Sequence, residues 1–121
     1  MEVIKLDSQG FRDKVYDFVE EENWNYKGQL PAIIDFYADW CAPCKMVEPI
    51  FEQLSKEYAG RLVIYKIDTD KEKELSALFG IQTVPTFVFI PATDEDPFIE
   101  HGAFPKNDFI HIIEERLIVR G

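Results

Sequence analysis

The sequence predicts an α/β fold in which helices cover both faces of a central mixed β-sheet, with parallel and antiparallel strands. Three observations lead there. AIIDFYA (32–38) and LVIYKID (62–68) are nearly continuous apolar runs of strand length, the pattern of central strands buried on both faces. Around them, apolar residues recur at intervals of three and four, the period of helices that face a core. The segments follow the order β-α-β-α-β-α-β-β-α, which implies a mixed sheet with helices packed on it.

Taken in order, Val3 to Leu6 is a short strand-like run, and Phe11, Val15, Phe18 and Val19 have helical spacing. The segment EEENWNYKGQLP (20–31) breaks that period with Asn, Gly and Pro. It is a loop whose aromatic residues can pack. After the strand at 32–38, Met46, Val47, Ile50, Phe51, Leu54 and Tyr58 define one side of a helix ending at Gly60. Pro49 lies inside that helix and predicts a kink. KEKELSALF (71–79) is a short helix closed by Gly80. TFVFI (86–90) and FIEHG (98–102) are strands joined by the turn PATDEDP (91–97). Phe109, Ile110, Ile112, Ile113, Leu117 and Ile118 describe a last helix, with Pro105 and Asp108 in its first turn.

At 121 residues and 46% hydrophobic content, the chain can bury one core and is too short for two ordinary domains. Residues 1–121 are therefore expected to form a single domain. The formal net charge of -10 gives a field that repels phosphate backbones and anionic headgroups. Neither nucleic acid nor a membrane surface is an expected partner. No apolar run approaches the roughly 20 residues that cross a bilayer, and MEVIKLDSQGF lacks a basic segment followed by a long apolar one. The expected location is cytoplasmic, or periplasmic if a signal peptide has been removed.

The chain has two cysteines, Cys41 and Cys44, in DFYADWCAPCKM (35–46). Too few for a stapling framework, they point to chemistry rather than architecture. Cys41 follows a buried-strand pattern and opens a helix, where unpaired N–H groups and the helix dipole favour thiolate, the nucleophilic form. Cys44 lies three residues on, on the same helical face, with a Cα separation of about 5 to 6 Å that a disulfide accepts. The spacing gives an exposed attacking sulfur at the helix tip and a resolving sulfur one turn deeper, as thiol–disulfide exchange requires. Inert core cysteines and a permanent disulfide are the bland alternatives. A structural zinc site would need two more ligands, and His101 and His111 are distant from the pair in sequence. No metal site is expected.

WCAPC after IIDFYAD, then a helix with Pro49, LVIYKIDTD, FGIQTVPTFVFI and a late Gly102, together resemble the thioredoxin family over nearly the whole chain. The resemblance implies the thioredoxin fold, no cofactor, and protein-disulfide reduction. Cys41 would be the nucleophile and Cys44 would resolve the mixed disulfide. Asp35 would accept the proton of Cys44; inside so apolar a strand its pKa should rise, unless it faces solvent at an edge. Lys66 would tune Asp35, or else snorkel to solvent. Trp40 would pack beside the cysteines and shield the sulfurs at the rim of a client groove that also includes Ala42, Pro43, Val84, Pro85, His101 and Gly102. Pro85 would be a cis proline, and Gly102 would leave room for a client backbone. The implied partners are disulfide-bearing client proteins and a recharging enzyme of the thioredoxin-reductase type.

Several residues depart from the family pattern. Ala42 stands where a glycine is usual, and Tyr37 where many members carry a second tryptophan, a change expected to matter little. The loop before the first central strand and the acidic turn 91–97 are longer than usual, which fits solvated surface or, for the turn, a part in selecting partners. His101 replaces an apolar residue at the groove wall, where it is either merely exposed or flanks the sulfurs and titrates near them. Two further function classes stay open: an oxidant or isomerase of an oxidising compartment, and an adaptor that uses the groove without turnover. Pro43, rather than histidine, before the second cysteine favours a reductant by family analogy.

Overall fold

The computed structural model describes residues 2–118; residue 1 and residues 119–121 of the expected domain lie outside the described residues. Its elements are β1 (Ile4–Lys5), α1 (Ser8–Lys14), β2 (Ala32–Tyr37), α2 (Ala42–Glu57), β3 (Val63–Asp68), α3 (Lys73–Leu78), β4 (Thr86–Ile90), β5 (Phe98–His101) and α4 (Lys106–Ile112), followed by a π-helical turn at Ile113–Leu117. The five strands form one sheet in the order β1-β3-β2-β4-β5. β2 pairs with β3 in parallel and with β4 antiparallel, so the sheet is mixed, as the segment order predicts.

Alternation along the strands divides the core into two layers. Ala32, Ile34 and Phe36 of β2 join Ile67 and Val88 in a cluster with Phe11 of α1 and Leu75 of α3. Ile33 joins Ile64, Phe87 and Phe89 in a second cluster with Val47, Phe51 and Leu54 of α2 and Phe109 of α4. Phe51, Phe87 and Phe109 centre the second layer, with ring centroids 4.9 to 5.4 Å apart, a spacing that favours edge-on aromatic contact. By the same alternation, Asp35 and Tyr37 fall on the α2 side of β2. Lys66 falls on that side of β3 and is the register partner of Asp35.

Some boundaries differ from those expected. α1 stops at Lys14, so Phe18 and Val19 lie beyond it and Val19 is exposed. Local hydrogen bonds compete with the helix there: the Asp17 carboxylate accepts from the backbone N–H groups of Val19 and Glu20, and the Tyr16 hydroxyl donates to the carbonyl of Glu21. Met46 is 69% exposed rather than on the buried side of α2. Its neighbours Ala42, Pro43 and Lys45 are exposed too, because the first turn of α2 stands at the surface. α2 ends at Glu57, before Gly60, and runs through Pro49 without interruption. The last helix begins after Pro105, which caps it, and its final turn is π-helical. Trp24 and Tyr26 of the long loop pack against the first core layer, as that loop's composition allows.

Candidate active site

The site sits where β2 hands over to α2. Cys41 is the N-cap residue of α2, and its sulfur accepts a hydrogen bond from the backbone N–H of Cys44 at 3.2 Å. The first turn of α2 carries no acidic residue, which leaves the positive end of the helix dipole uncompensated beside Cys41. The Cα atoms of Cys41 and Cys44 are 5.3 Å apart and the sulfurs are within bonding distance. Both cysteines are only 4% exposed, so Cys41 is more covered than the helix-tip position predicts. Ala38, Tyr37 and Val84 pack around the pair. Val84 precedes Pro85 across a cis peptide bond, so the β4 approach closes one wall of the site.

Trp40 immediately precedes Cys41. Its side chain is 71% exposed and its indole Nε1 donates to the Asp70 carboxylate at 2.9 Å. That bond sets the ring at the edge of a groove of about 420 Å³ that also includes Thr69, Lys73, Thr83 and Val84. Asp70, Thr69, Lys73 and Thr83 escaped the sequence reading. Thr69 and Asp70 lie in the run LVIYKIDTD and Thr83 in FGIQTVPTFVFI, whereas Lys73 is in neither stretch.

Asp35 lies on the other side of Cys44. Its residue is 5% exposed, and its Oδ1 has no hydrogen-bond partner among the described residues. Burial lifts the carboxyl from its ordinary 3.8 to about 7, with Lys66 opposing and Glu48 adding to the rise. Asp35, Cys44, Glu48 and Lys66 line one small cavity of about 50 Å³, large enough for a water molecule. Tyr37 walls the same cavity, with the Lys66 ammonium 5.8 Å from its ring centroid. Its hydroxyl is pushed up to about 12, by burial first and then by Asp68, Asp39, Asp35 and Glu48.

The chemistry this geometry permits is specific. A dithiol at a helix N-terminus, with a buried carboxyl of near-neutral pKa beside the second cysteine, is built for thiol–disulfide exchange coupled to proton transfer. The family model described as Thioredoxin matches residues 3–115. The chain belongs to the thioredoxin family. A thioredoxin of Borreliella burgdorferi is 46% identical over 112 residues, which are 93% of this chain and 95% of that protein. An M-type chloroplastic thioredoxin of Spinacia oleracea is 32% identical over 82% of this chain and 56% of its own length. Among solved structures, the crystal structure of chloroplastic thioredoxin z superposes with a TM-score of 0.80 at 27% identity, covering 95% of this chain and 94% of that one. Family membership and the cysteine pair make the chain a thiol–disulfide oxidoreductase acting as a protein-disulfide reductase.

The remaining family positions lie at the β4–β5 junction and at the start of α2. The Gly102 N–H donates to the Pro85 carbonyl at 3.1 Å, which ties the end of β5 to the cis proline. Gly102 has φ +97, a conformation that favours glycine, and a Cβ there would meet nothing within 4 Å. The backbone angle by itself favours glycine there. His101 is exposed on β5, and its Nδ1 lies 3.1 Å from the Thr86 hydroxyl, which itself donates to the Thr83 carbonyl. Ala42 and Pro43 form the exposed start of α2. Among the described residues no group of three or more His, Cys, Asp or Glu is placed to hold a metal ion. No helix among them is long and apolar enough to cross a membrane.

Proposed function

We propose that Cys41 attacks, Cys44 resolves and Asp35 takes the proton of Cys44 during reduction of client disulfides. The observation that carries this reading is the buried Asp35 carboxyl, its Oδ1 without a partner among the described residues, sharing a small cavity with Cys44. The Cys41 thiolate attacks one sulfur of the client disulfide; the Cys41–client bond forms and the other client sulfur leaves as a thiolate. Cys44 then gives its proton to the Asp35 carboxylate and attacks the Cys41 sulfur. The Cys41–Cys44 bond forms, and the second client sulfur leaves reduced. Two electrons have passed from the dithiol to the client. An enzyme of the thioredoxin-reductase type would return two electrons and two protons to the pair.

Lys66, in register with Asp35, would hold the ionised form of that carboxylate after the proton leaves. The groove from Trp40 and Ala42 with Pro43 to Val84 with Pro85, and on to Gly102, would receive an extended client segment. The free backbone beside the proline would be its pairing edge. His101 would stand at the far wall, held by Thr86. The cytoplasm is the compartment that fits a reductant, since its thiol systems can keep such a pair recharged. The decisive experiment is trapping. Cys44→Ser should accumulate a client mixed disulfide that survives non-reducing electrophoresis, and Cys41→Ser should form none. A Cys41→Ser variant that keeps the function would replace this reading with that of an adaptor.

A further inference from the structure

Glu48 is a feature of the proton site that the roles above leave unused. It follows Cys44 by four residues on α2, which puts the two side chains one above the other on one helix face. Both line the cavity that holds Asp35. Glu48 is exposed where Asp35 is buried, so the two carboxyl groups stand at the outer and inner ends of one small space. Every charged or titratable group facing that space can be named by element. β2 supplies Asp35 and Tyr37, and the turn after it Asp39; α2 supplies Cys44, Lys45 and Glu48; β3 supplies Lys66. Lys66 favours the ionised form of Asp35 and Glu48 disfavours it.

We propose that Glu48 is a positioning residue of the resolving step: its charge, at the mouth of the cavity, tunes the exchange of the Cys44 proton with Asp35. The inference rests on Asp35 being the proton acceptor. A negative charge at the mouth raises the work of placing a second one inside, so Asp35 becomes a stronger base toward Cys44. A base whose pKa lies near the working pH both takes a proton from a thiol and passes it on. Burial is the main cause of the raised Asp35 carboxyl, and Lys66 pulls against it. Glu48 counters Lys66 from the opposite, solvent side. The proton leaves by the same mouth, past Glu48, before the next cycle.

The test compares wild type, Glu48→Gln, Glu48→Lys, Asp35→Asn and the double variant Asp35→Asn/Glu48→Gln. One readout is the Asp35 carboxyl titration in the oxidised protein, followed by 13C NMR. The other is the pH profile of kcat/KM for reduction of a disulfide-bonded protein. For an exposed charge acting on this neighbour, Glu48→Gln should lower the Asp35 midpoint by about 0.2 to 0.7 pH unit. Glu48→Lys should lower it about twice as far, and the acidic limb of kcat/KM should move with it. In the Asp35→Asn background the Glu48 change should leave the profile where it is. An unmoved Asp35 midpoint in Glu48→Gln and Glu48→Lys overturns the inference while leaving Asp35 as acceptor. A shift in the rate profile that persists without Asp35 overturns it as well. If Asp35→Asn itself leaves the acidic limb intact, the acceptor reading fails and this inference fails with it.

Discussion

Replacing Asp35 by asparagine should remove a loss of stability that the oxidised protein suffers at alkaline pH and not in acid. The wild-type carboxyl moves from an ordinary 3.8 to about 7 on folding. Below pH 4 it is protonated in both folded and unfolded chains and contributes no pH dependence. Between pH 4 and pH 7 the folded chain holds a proton that the unfolded chain has released. The unfolded state then binds fewer protons, so stability falls by about 1.4 kcal/mol for each pH unit. Over a gap of roughly three units the loss is on the order of 4 kcal/mol, a large fraction of the 5 to 15 kcal/mol typical of a domain. Above pH 7 both states are ionised and the loss is complete.

Asparagine cannot ionise, so it removes this slope. Any offset from burying an amide in place of an acid is independent of pH and drops out of the comparison. Urea unfolding of both oxidised proteins at pH 4, 5.5, 7 and 8.5 supplies the measurement, with the difference in unfolding free energy plotted against pH. The difference should grow by about 2 to 4 kcal/mol in favour of the variant between the ends of that range. Parallel curves would refute the reasoning, because they would mean that Asp35 ionises in the folded protein as easily as in the unfolded one.

Two other perturbations probe the groove. Trp40→Phe keeps the aromatic surface and deletes the bond from Nε1 to Asp70; it should lower stability by less than about 1 kcal/mol, yet raise KM for protein clients several-fold with kcat retained. Equal losses in kcat and kcat/KM would mean instead that the ring acts in the chemical step. Gly102→Ala should destabilise by about 1 to 2 kcal/mol through its φ of +97 alone, with reduction of a small disulfide unchanged; thermal unfolding alongside both substrate assays checks it, and an unaltered Tm would show that the backbone relaxes freely there.

The two central strands were legible because burial on both faces leaves an unbroken apolar run, and both runs are strands in the structure, at Ala32–Tyr37 and Val63–Asp68. The cysteine spacing was legible for a similar reason: helix geometry fixes the distance between residues three apart. Periodicity misled at Val19 and Met46. At Val19, Asp17 and Tyr16 offered the backbone other partners, and at Met46 the helix turn has no layer to cover it. Trp40 was legible as a rim residue, but the bond that holds it there was not. Its placement depends on Asp70, thirty residues along the chain, and no local pattern encodes that meeting. Glu48 was within reach of the sequence, since a residue four after Cys44 must share its helix face, but only the cavity shows that β2 and β3 bring Asp35 and Lys66 to the same place.

Asp35 breaks the binary pattern of β2, and its surroundings indicate how that break is tolerated. Its side of the strand is shared with Ile33, and Phe87 of β4 is its antiparallel register partner. An aliphatic side chain there would bury apolar area, worth about 1.5 to 3 kcal/mol, and would remove the alkaline penalty. The chain instead keeps a carboxyl and ranks the charges around it by depth: Asp35 buried, Lys66 half-buried in register beside it, Glu48 exposed at the mouth. If packing alone selected these residues, that order would have no reason to meet Cys44 at the wall of one cavity. A proton that must leave a thiol, rest on a base and then reach solvent requires such an order. On the proposed mechanism, this destabilising carboxyl is where the proton of Cys44 would rest.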